Sequence, residues 1–201
     1  VALVISALGL LAFLAVADIV FNQRPLLQID NEVVTFLRRY ITRRGTVIMD
    51  LISALAEPVA PVVGVAAGLL LARQKRWADL ALLAAAAAGG FFLNWWLKQA
   101  YDAVRPPAYD LLELGYTWGF PSGHAIAAIV VYGALGVLLW PRISRPGRRL
   151  AVELAIAGLI GLIGFSRLYV HDHYLGDVLA GLAIGGAWLA LCTAVWLAYQ
   201  E

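Results

Sequence analysis

Gly119-Phe120-Pro121-Ser122-Gly123-His124 stands at the mouth of an apolar run that continues from Ala125 to Trp140. A proline in a first helical turn leaves no N–H unpaired, so the stretch predicts a helix start with free backbone amides at the end of a membrane span. Such an end attracts anions, phosphate above all. Ser122 adds a hydroxyl, Gly123 lets a ligand approach the backbone, and His124 can take or give a proton near neutral pH. Taken alone, the tetrapeptide from Pro121 to His124 is a weak signal, and its meaning depends on what flanks it.

The flanks are apolar. The chain has 201 residues, of which 62% are hydrophobic and only 14% charged, a composition outside the range of soluble domains. A span needs about 20 apolar residues, and the sequence supplies six such runs, at 1–21, 46–72, 77–97, 121–140, 150–166 and 178–199. The expectation is an all-α integral membrane protein, with six transmembrane helices in one bundle over residues 1–201 and no room for a separate soluble domain. Pro58 and Pro61 predict a kink in the second span. The third span holds Gly89 and Gly90, the fifth Gly158, Gly161 and Gly164, and the sixth Gly181 and Gly185. These read as helix-packing positions.

Residues 22–45 differ from the spans. Ile29, Val33, Phe36, Leu37 and Tyr40 recur at three and four, with Arg38, Arg39, Arg43 and Arg44 on or beside the other face. This is the pattern of an amphipathic helix lying in the interface, with Asp30 or Asn31 as its cap. The single cysteine, Cys192, lies in an apolar run, so no disulfide framework exists and the residue reads as core. A net charge of +2 with short basic clusters beside the spans gives no case for nucleic acid and points to lipid headgroups as partners. Residues 1–21 lack a basic start and a small-residue cleavage site, so a cleaved signal peptide is not expected. The chain opens on Val1, which leaves open a longer parent protein.

Six spans bring the end of the third, the start of the fourth and the turn between fifth and sixth to one membrane face. Lys98 and Arg105, then Ser122, Gly123 and His124, then Ser166, Arg167, His173 and Asp177 all fall there. Singly, Lys98 fits a snorkelling residue and Arg105 or Arg167 fits either role. Together, three cations and helix-end amides suit a tetrahedral dianion. One histidine can attack phosphorus while a second protonates the departing oxygen. Asp177 follows His173 by four residues, which on a helix sets the carboxylate beside the ring and holds the tautomer that frees the outer nitrogen. A helix-capping pair with no reaction is the plain alternative.

Lys98-x6-Arg105-Pro106, Pro121-Ser122-Gly123-His124 and Ser166-Arg167-x5-His173-x3-Asp177 resemble, in order and spacing, the three-part signature of the type 2 phosphatidic acid phosphatase superfamily, which includes bacterial membrane lipid phosphatases. The resemblance implies His173 as the nucleophile that forms a phosphohistidine, Asp177 as its orienting group and His124 as general acid. It also implies Lys98, Arg105, Ser122, Gly123 and Arg167 as phosphate ligands, with no metal and no cofactor. Soluble vanadium haloperoxidases share the signature, but the hydropathy excludes them. The implied substrate is a lipid phosphate monoester or pyrophosphate, such as phosphatidylglycerol phosphate, phosphatidic acid or undecaprenyl pyrophosphate. A lipid phosphotransferase using the same phosphohistidine and a silent lipid-binding protein are the alternatives; the sequence does not fix the oligomeric state.

Other polar residues are assigned lesser roles. His171 does not fit the motif spacing and reads as a loop residue, Asp172 as a solvated loop charge, and Glu57 as an interior polar residue under the site. Tyr109, Tyr116, Trp118 and Phe120 suit either a cover over a lipid headgroup or an aromatic belt. The basic turns at 73–76 and 142–149 favour the cytoplasm, whereas the first interhelical segment holds five arginines on the opposite side. With the arginines of 24–44 assigned to an interfacial helix and Lys98, Arg105 and Arg167 to the site, the expectation is a cell-membrane protein with its site on the extracytoplasmic face.

Overall fold

The computed structural model describes residues 1–22, 24–101 and 119–200, the side chains of 22–28 excepted. Its helices are α1 (Ala2–Asn22), α2 (Arg24–Arg38), α3 (Arg43–Ser53), α4 (Ala60–Arg73), α5 (Trp77–Ala100), α6 (Gly123–Leu139), α7 (Pro146–Tyr169) and α8 (Leu175–Gln200). Among the described residues, six helical stretches are long and apolar enough to cross a membrane. Four are α1, α5, α7 and α8; the others are α3 with α4 and α6 with the short turn after it. The protein is an all-helical integral membrane bundle.

The second stretch is broken where the prolines predict. A single wide turn at Leu55–Val59 joins α3 to α4, and Glu57 leaves helical geometry with φ −143° and ψ 113°. Pro58 supplies no N–H and its ring excludes a regular helix before it, which accounts for the break. Glu57 itself is exposed on the bundle surface rather than packed beneath the site.

α6 is the central helix, with half of its apolar window buried in the bundle, and it packs against α4, α5, α7 and α8. Its contact with α8 depends on missing side chains. A Cβ on Gly181 would lie 2.7 Å from the Ser122 carbonyl oxygen, and one on Gly185 would lie 2.4 Å from Ile129 Cγ2. On α7 the glycine reading holds for Gly164, whose Cβ would meet Val178 at 3.0 Å. It fails for Gly158 and Gly161, which meet nothing within 4 Å among the described residues.

α2 is amphipathic, and its apolar residues divide between the bundle and the exposed surface. Asp30 and Leu37 are buried and Val33 and Val34 half-buried, whereas Ile29, Phe36 and Tyr40 are exposed. Asp30 does not cap α2. The helix begins at Arg24, which puts Asp30 in its middle and against the bundle. Thr42 caps α3 instead, accepting from the Gly45 N–H at 3.0 Å.

At the end of α5 opposite Lys98, Asp79 is buried and accepts from Arg76 Nε at 2.7 Å, Arg142 at 2.9 Å and Trp196 Nε1 at 3.0 Å. These bonds tie the start of α5 and the turn after α6 to the end of α8, at the other end of α5 from Lys98. Cys192 is buried as core.

Candidate active site

α7 ends in a turn that presents most of the third motif. The Asp172 N–H bonds the Arg167 carbonyl at 3.1 Å and the His171 N–H bonds the Leu168 carbonyl at 3.2 Å, the paired bonds of a Schellman ending. That ending requires one residue in left-handed geometry, and His171 takes it with φ 59°. The His173 N–H also bonds the Arg167 carbonyl, at 3.3 Å. The five residues between Arg167 and His173 are therefore wrapped back on the helix end, and the spacing of the motif is the length of that wrap.

α8 begins at Leu175, so His173 stands in the turn ahead of the helix and not on it as the four-residue spacing implies, and the first turn of α8 brings Asp177 back to the ring. Nδ1 of His173 lies 3.5 Å from Asp177 Oδ2, with both side chains buried. The same Oδ2 accepts the Tyr174 N–H at 2.9 Å, so the carboxylate is fixed from its own helix start. At 3.5 Å the two groups are in ion-pair contact and not within a formed hydrogen bond; contacts of this kind often tighten when a ligand binds. Nδ1 thus faces the carboxylate, and Nε2 lies on the opposite edge of the ring.

The α6 start is joined directly to this pair. Ser122 precedes the helix with extended geometry, and its N–H donates to the Asp177 carbonyl at 3.0 Å. Helix α6 thus begins at Gly123, two residues after Pro121, because the Ser122 amide is engaged by α8. The first helical bond runs from Ile126 N–H to the Ser122 carbonyl at 3.2 Å, so the amides of Gly123, His124 and Ala125 lie ahead of the helical ladder. Ser122 Oγ is fully buried with no hydrogen-bond partner among the described residues, and His124 is half-buried in the first turn.

Lys98 occupies the last turn of α5, half-buried. One turn earlier Asn94 faces Gly123, whose Cβ would stand 3.0 Å from Asn94 Nδ2, so Lys98 lies on the helix face that meets the α6 start. Arg167, in the last turn of α7, is buried, donates to Ser53 Oγ and is paired with Asp172. Asp172 is therefore not a solvated charge; the Schellman turn folds it back onto Arg167. His171 is a turn residue as expected, yet it is buried, with Nε2 3.3 Å from the Val34 carbonyl of α2. Burial, assisted by the Arg38 charge, lowers its pKa, so the neutral ring donates to that carbonyl.

Phe120 neither covers a headgroup nor joins a belt. It is wholly buried among Phe13, Phe21 and Tyr101, with centroid distances of 5.9, 5.3 and 5.2 Å. Arg105, Tyr109, Tyr116 and Trp118 lie outside the described residues. Sequence reasoning overlooked Ser53 and Asn94. Both were findable as isolated polar residues in apolar spans, Asn94 a helical turn before Lys98. Asn94 Oδ1 is buried with no hydrogen-bond partner among the described residues. No group of three or more His, Cys, Asp or Glu side chains is placed to hold a metal ion, again among the described residues.

Fold and site together define a membrane-embedded helical bundle with a buried His–Asp pair, a second histidine at a helix start and cations gathered at one end. The chain belongs to the PAP2 superfamily, whose family model matches residues 79–200. It is similar to phosphatidylglycerophosphatase B of Bacillus subtilis, 32% identical over 66% of this chain and 64% of that protein. It is also similar to lipid A 1-phosphatase of Rhizobium etli, 32% identical over 49% of this chain and 42% of the relative. The matched segments thus span less than two thirds of these relatives. Among solved structures, the transmembrane PAP2-type phosphatidylglycerolphosphate phosphatase from Bacillus subtilis superposes with a TM-score of 0.80, covering 94% of each chain at 23% identity. That likeness is one of fold.

Proposed function

We propose that the chain, acting as one membrane domain over residues 1–201, hydrolyses a phosphate monoester or pyrophosphate of a lipid without a metal, through a phosphohistidine on His173. The observation that carries this reading is the buried His173–Asp177 pair, in which Nδ1 faces the carboxylate at 3.5 Å. Nε2 attacks phosphorus, the bond from phosphorus to the lipid oxygen breaks, and His124 gives its proton to the departing oxygen. Asp177 balances the charge that forms on the imidazole ring. His124, now neutral, takes a proton from water, whose oxygen attacks phosphorus. The N–P bond breaks and inorganic phosphate leaves.

Lys98, Arg105, Arg167, Ser122 and Gly123 are the proposed phosphate ligands. Cations and helix-start amides stabilise the equatorial oxygens as charge grows in the transition state. Ser122 Oγ, buried with no hydrogen-bond partner among the described residues, suits a hydroxyl that meets a ligand oxygen. Relatives named for phosphatidylglycerophosphate and lipid A 1-phosphate favour a phosphate held at a bilayer surface. The site is placed on the extracytoplasmic face of the cell membrane, and cysteines introduced at Glu113 and Arg145 test this. Outside labelling of the first and inside labelling of the second is expected; the reverse pattern contradicts the placement.

The test of activity uses purified protein with phosphatidic acid, phosphatidylglycerophosphate and undecaprenyl pyrophosphate, each with excess chelator. Phosphate release that survives chelation and is lost in His173→Ala is expected. Release that stops with chelator and returns with magnesium or zinc contradicts the mechanism. Phosphate appearing on an added acceptor lipid instead of in solution identifies a transferase.

A further inference from the structure

Tyr174, which precedes α8, is a poor helix cap, because its hydroxyl cannot reach the first amides as a serine or aspartate oxygen does. Half of a capping box is nevertheless present, since Asp177 reaches back to the Tyr174 N–H at 2.9 Å. The other half, an oxygen that accepts from the first turn, comes from a different helix. The Gly176 N–H donates to Asp30 Oδ1 at 3.1 Å, from a residue 146 positions away on α2.

We infer that Asp30 is a positioning residue for the reaction: it completes the cap of α8 from the interfacial helix and so fixes Asp177 against His173. The inference rests on the proposed role of His173. Two further ties hold α2 and the chain after it to the same turn. His171 Nε2 meets the Val34 carbonyl at 3.3 Å, and the Tyr169 hydroxyl donates to the Tyr40 carbonyl at 2.8 Å while accepting the Thr42 N–H at 3.2 Å. All three run between the interfacial segment and residues 169–176.

The placement of Asp30 is costly, which argues against a purely structural use. The residue is 3% exposed. Burial pushes its carboxyl up to about 6; the Gly176 amide opposes that rise, and the nearby Asp177 charge adds to it. A serine or asparagine at position 174 would cap α8 locally with no second buried carboxylate. Groups retained against stability in this way cluster at functional sites.

The test compares wild type, Asp30→Ala, Asp30→Asn, Asp30→Ala/Tyr174→Ser and His173→Ala on the three lipids named above, together with amide hydrogen exchange over residues 174–178. Asp30→Ala is expected to lower kcat at least tenfold with KM within threefold, and to speed exchange of the Gly176 amide at least tenfold. Asp30→Asn, which keeps an acceptor, and the double variant, which restores a local cap, should return kcat to within threefold of wild type. Wild-type kcat and exchange in Asp30→Ala would overturn the inference, as would an equal loss in the alanine and asparagine variants. If Asp30→Ala does not fold, recovery of folded, active protein in the double variant supports the inference and its failure overturns it. A wild type that releases no phosphate from any of the lipids contradicts the phosphatase reading alone, and the exchange comparison still decides the cap.

Discussion

The Ser122 N–H donates to the Asp177 carbonyl at 3.0 Å, so the start of α6 and the start of α8 are bonded to each other through the backbone. Ser122, which precedes α6, and Asp177, the residue proposed to orient His173, therefore cannot move independently. Gly181, one turn beyond Asp177, makes the bond possible by leaving 2.7 Å between its absent Cβ and the Ser122 carbonyl oxygen.

Gly181→Ala is accordingly expected to force α8 off α6. The obstructing atom is backbone, which cannot rotate aside, so a cost on the order of 1–3 kcal/mol is expected, with a fall in activity of at least tenfold. Gly158→Ala, where nothing lies within 4 Å among the described residues, should be neutral or stabilise by up to about 1 kcal/mol through helix propensity. Thermal unfolding in detergent and phosphate release on the two variants check the contrast. Equal effects would mean the α6–α8 contact is not what Gly181 serves.

Asp79 provides a control far from the chemistry. It is a buried acceptor shared by Arg76, Arg142 and Trp196, and Asp79→Ala leaves two guanidinium groups without that carboxylate. The two arginines are 28% and 40% exposed and can turn to water, so the loss should be on the order of 1–3 kcal/mol, below that of a fully buried pair. Because Asp79 opens α5 and Lys98 closes it, the folded fraction should keep KM within threefold. A changed KM would show that the two ends are coupled.

Asp30 makes a pH-dependent contribution to stability whose sign follows from its raised folded-state value of about 6, against 3.8 for the free group. The folded protein holds the proton more tightly, so stability falls as pH rises from about 4 to about 6 and stays reduced above that. Asp30→Asn removes the ionisation. Its melting temperature should match wild type near pH 4 and exceed it above pH 6, by the equivalent of on the order of 2–3 kcal/mol. A variant less stable than wild type at pH 7.5 would contradict the cost assigned to that carboxylate.

Much of the bundle was legible because its signals are local. Six apolar runs, the two prolines near Glu57 and the four-residue step from His173 to Asp177 each declare themselves within one turn or one span. What sequence reading missed depends on distant partners. Asp30 looked like a cap of its own helix, yet it serves α8; Asp172 looked solvated, yet the turn after Tyr169 folds it onto Arg167. Glycine spacing on α7 predicted packing at Gly158 and Gly161, but spacing alone does not say which helix, if any, stands opposite. Phe120 was assigned to the lipid surface because an aromatic beside a span is ambiguous until its neighbours, Phe13 and Tyr101, are placed.

The most direct test of the central claim is rapid quenching of the enzyme with phosphorus-labelled lipid, followed by recovery of protein-bound phosphate. Acid-labile, base-stable label is expected on wild type, none on His173→Ala, and some on His124→Ala with a substrate whose leaving group needs no proton. His171→Ala should still be labelled, because its ring is turned to Val34 of α2. Normal labelling of His173→Ala, with loss in His171→Ala instead, would make His171 the nucleophile and not His173.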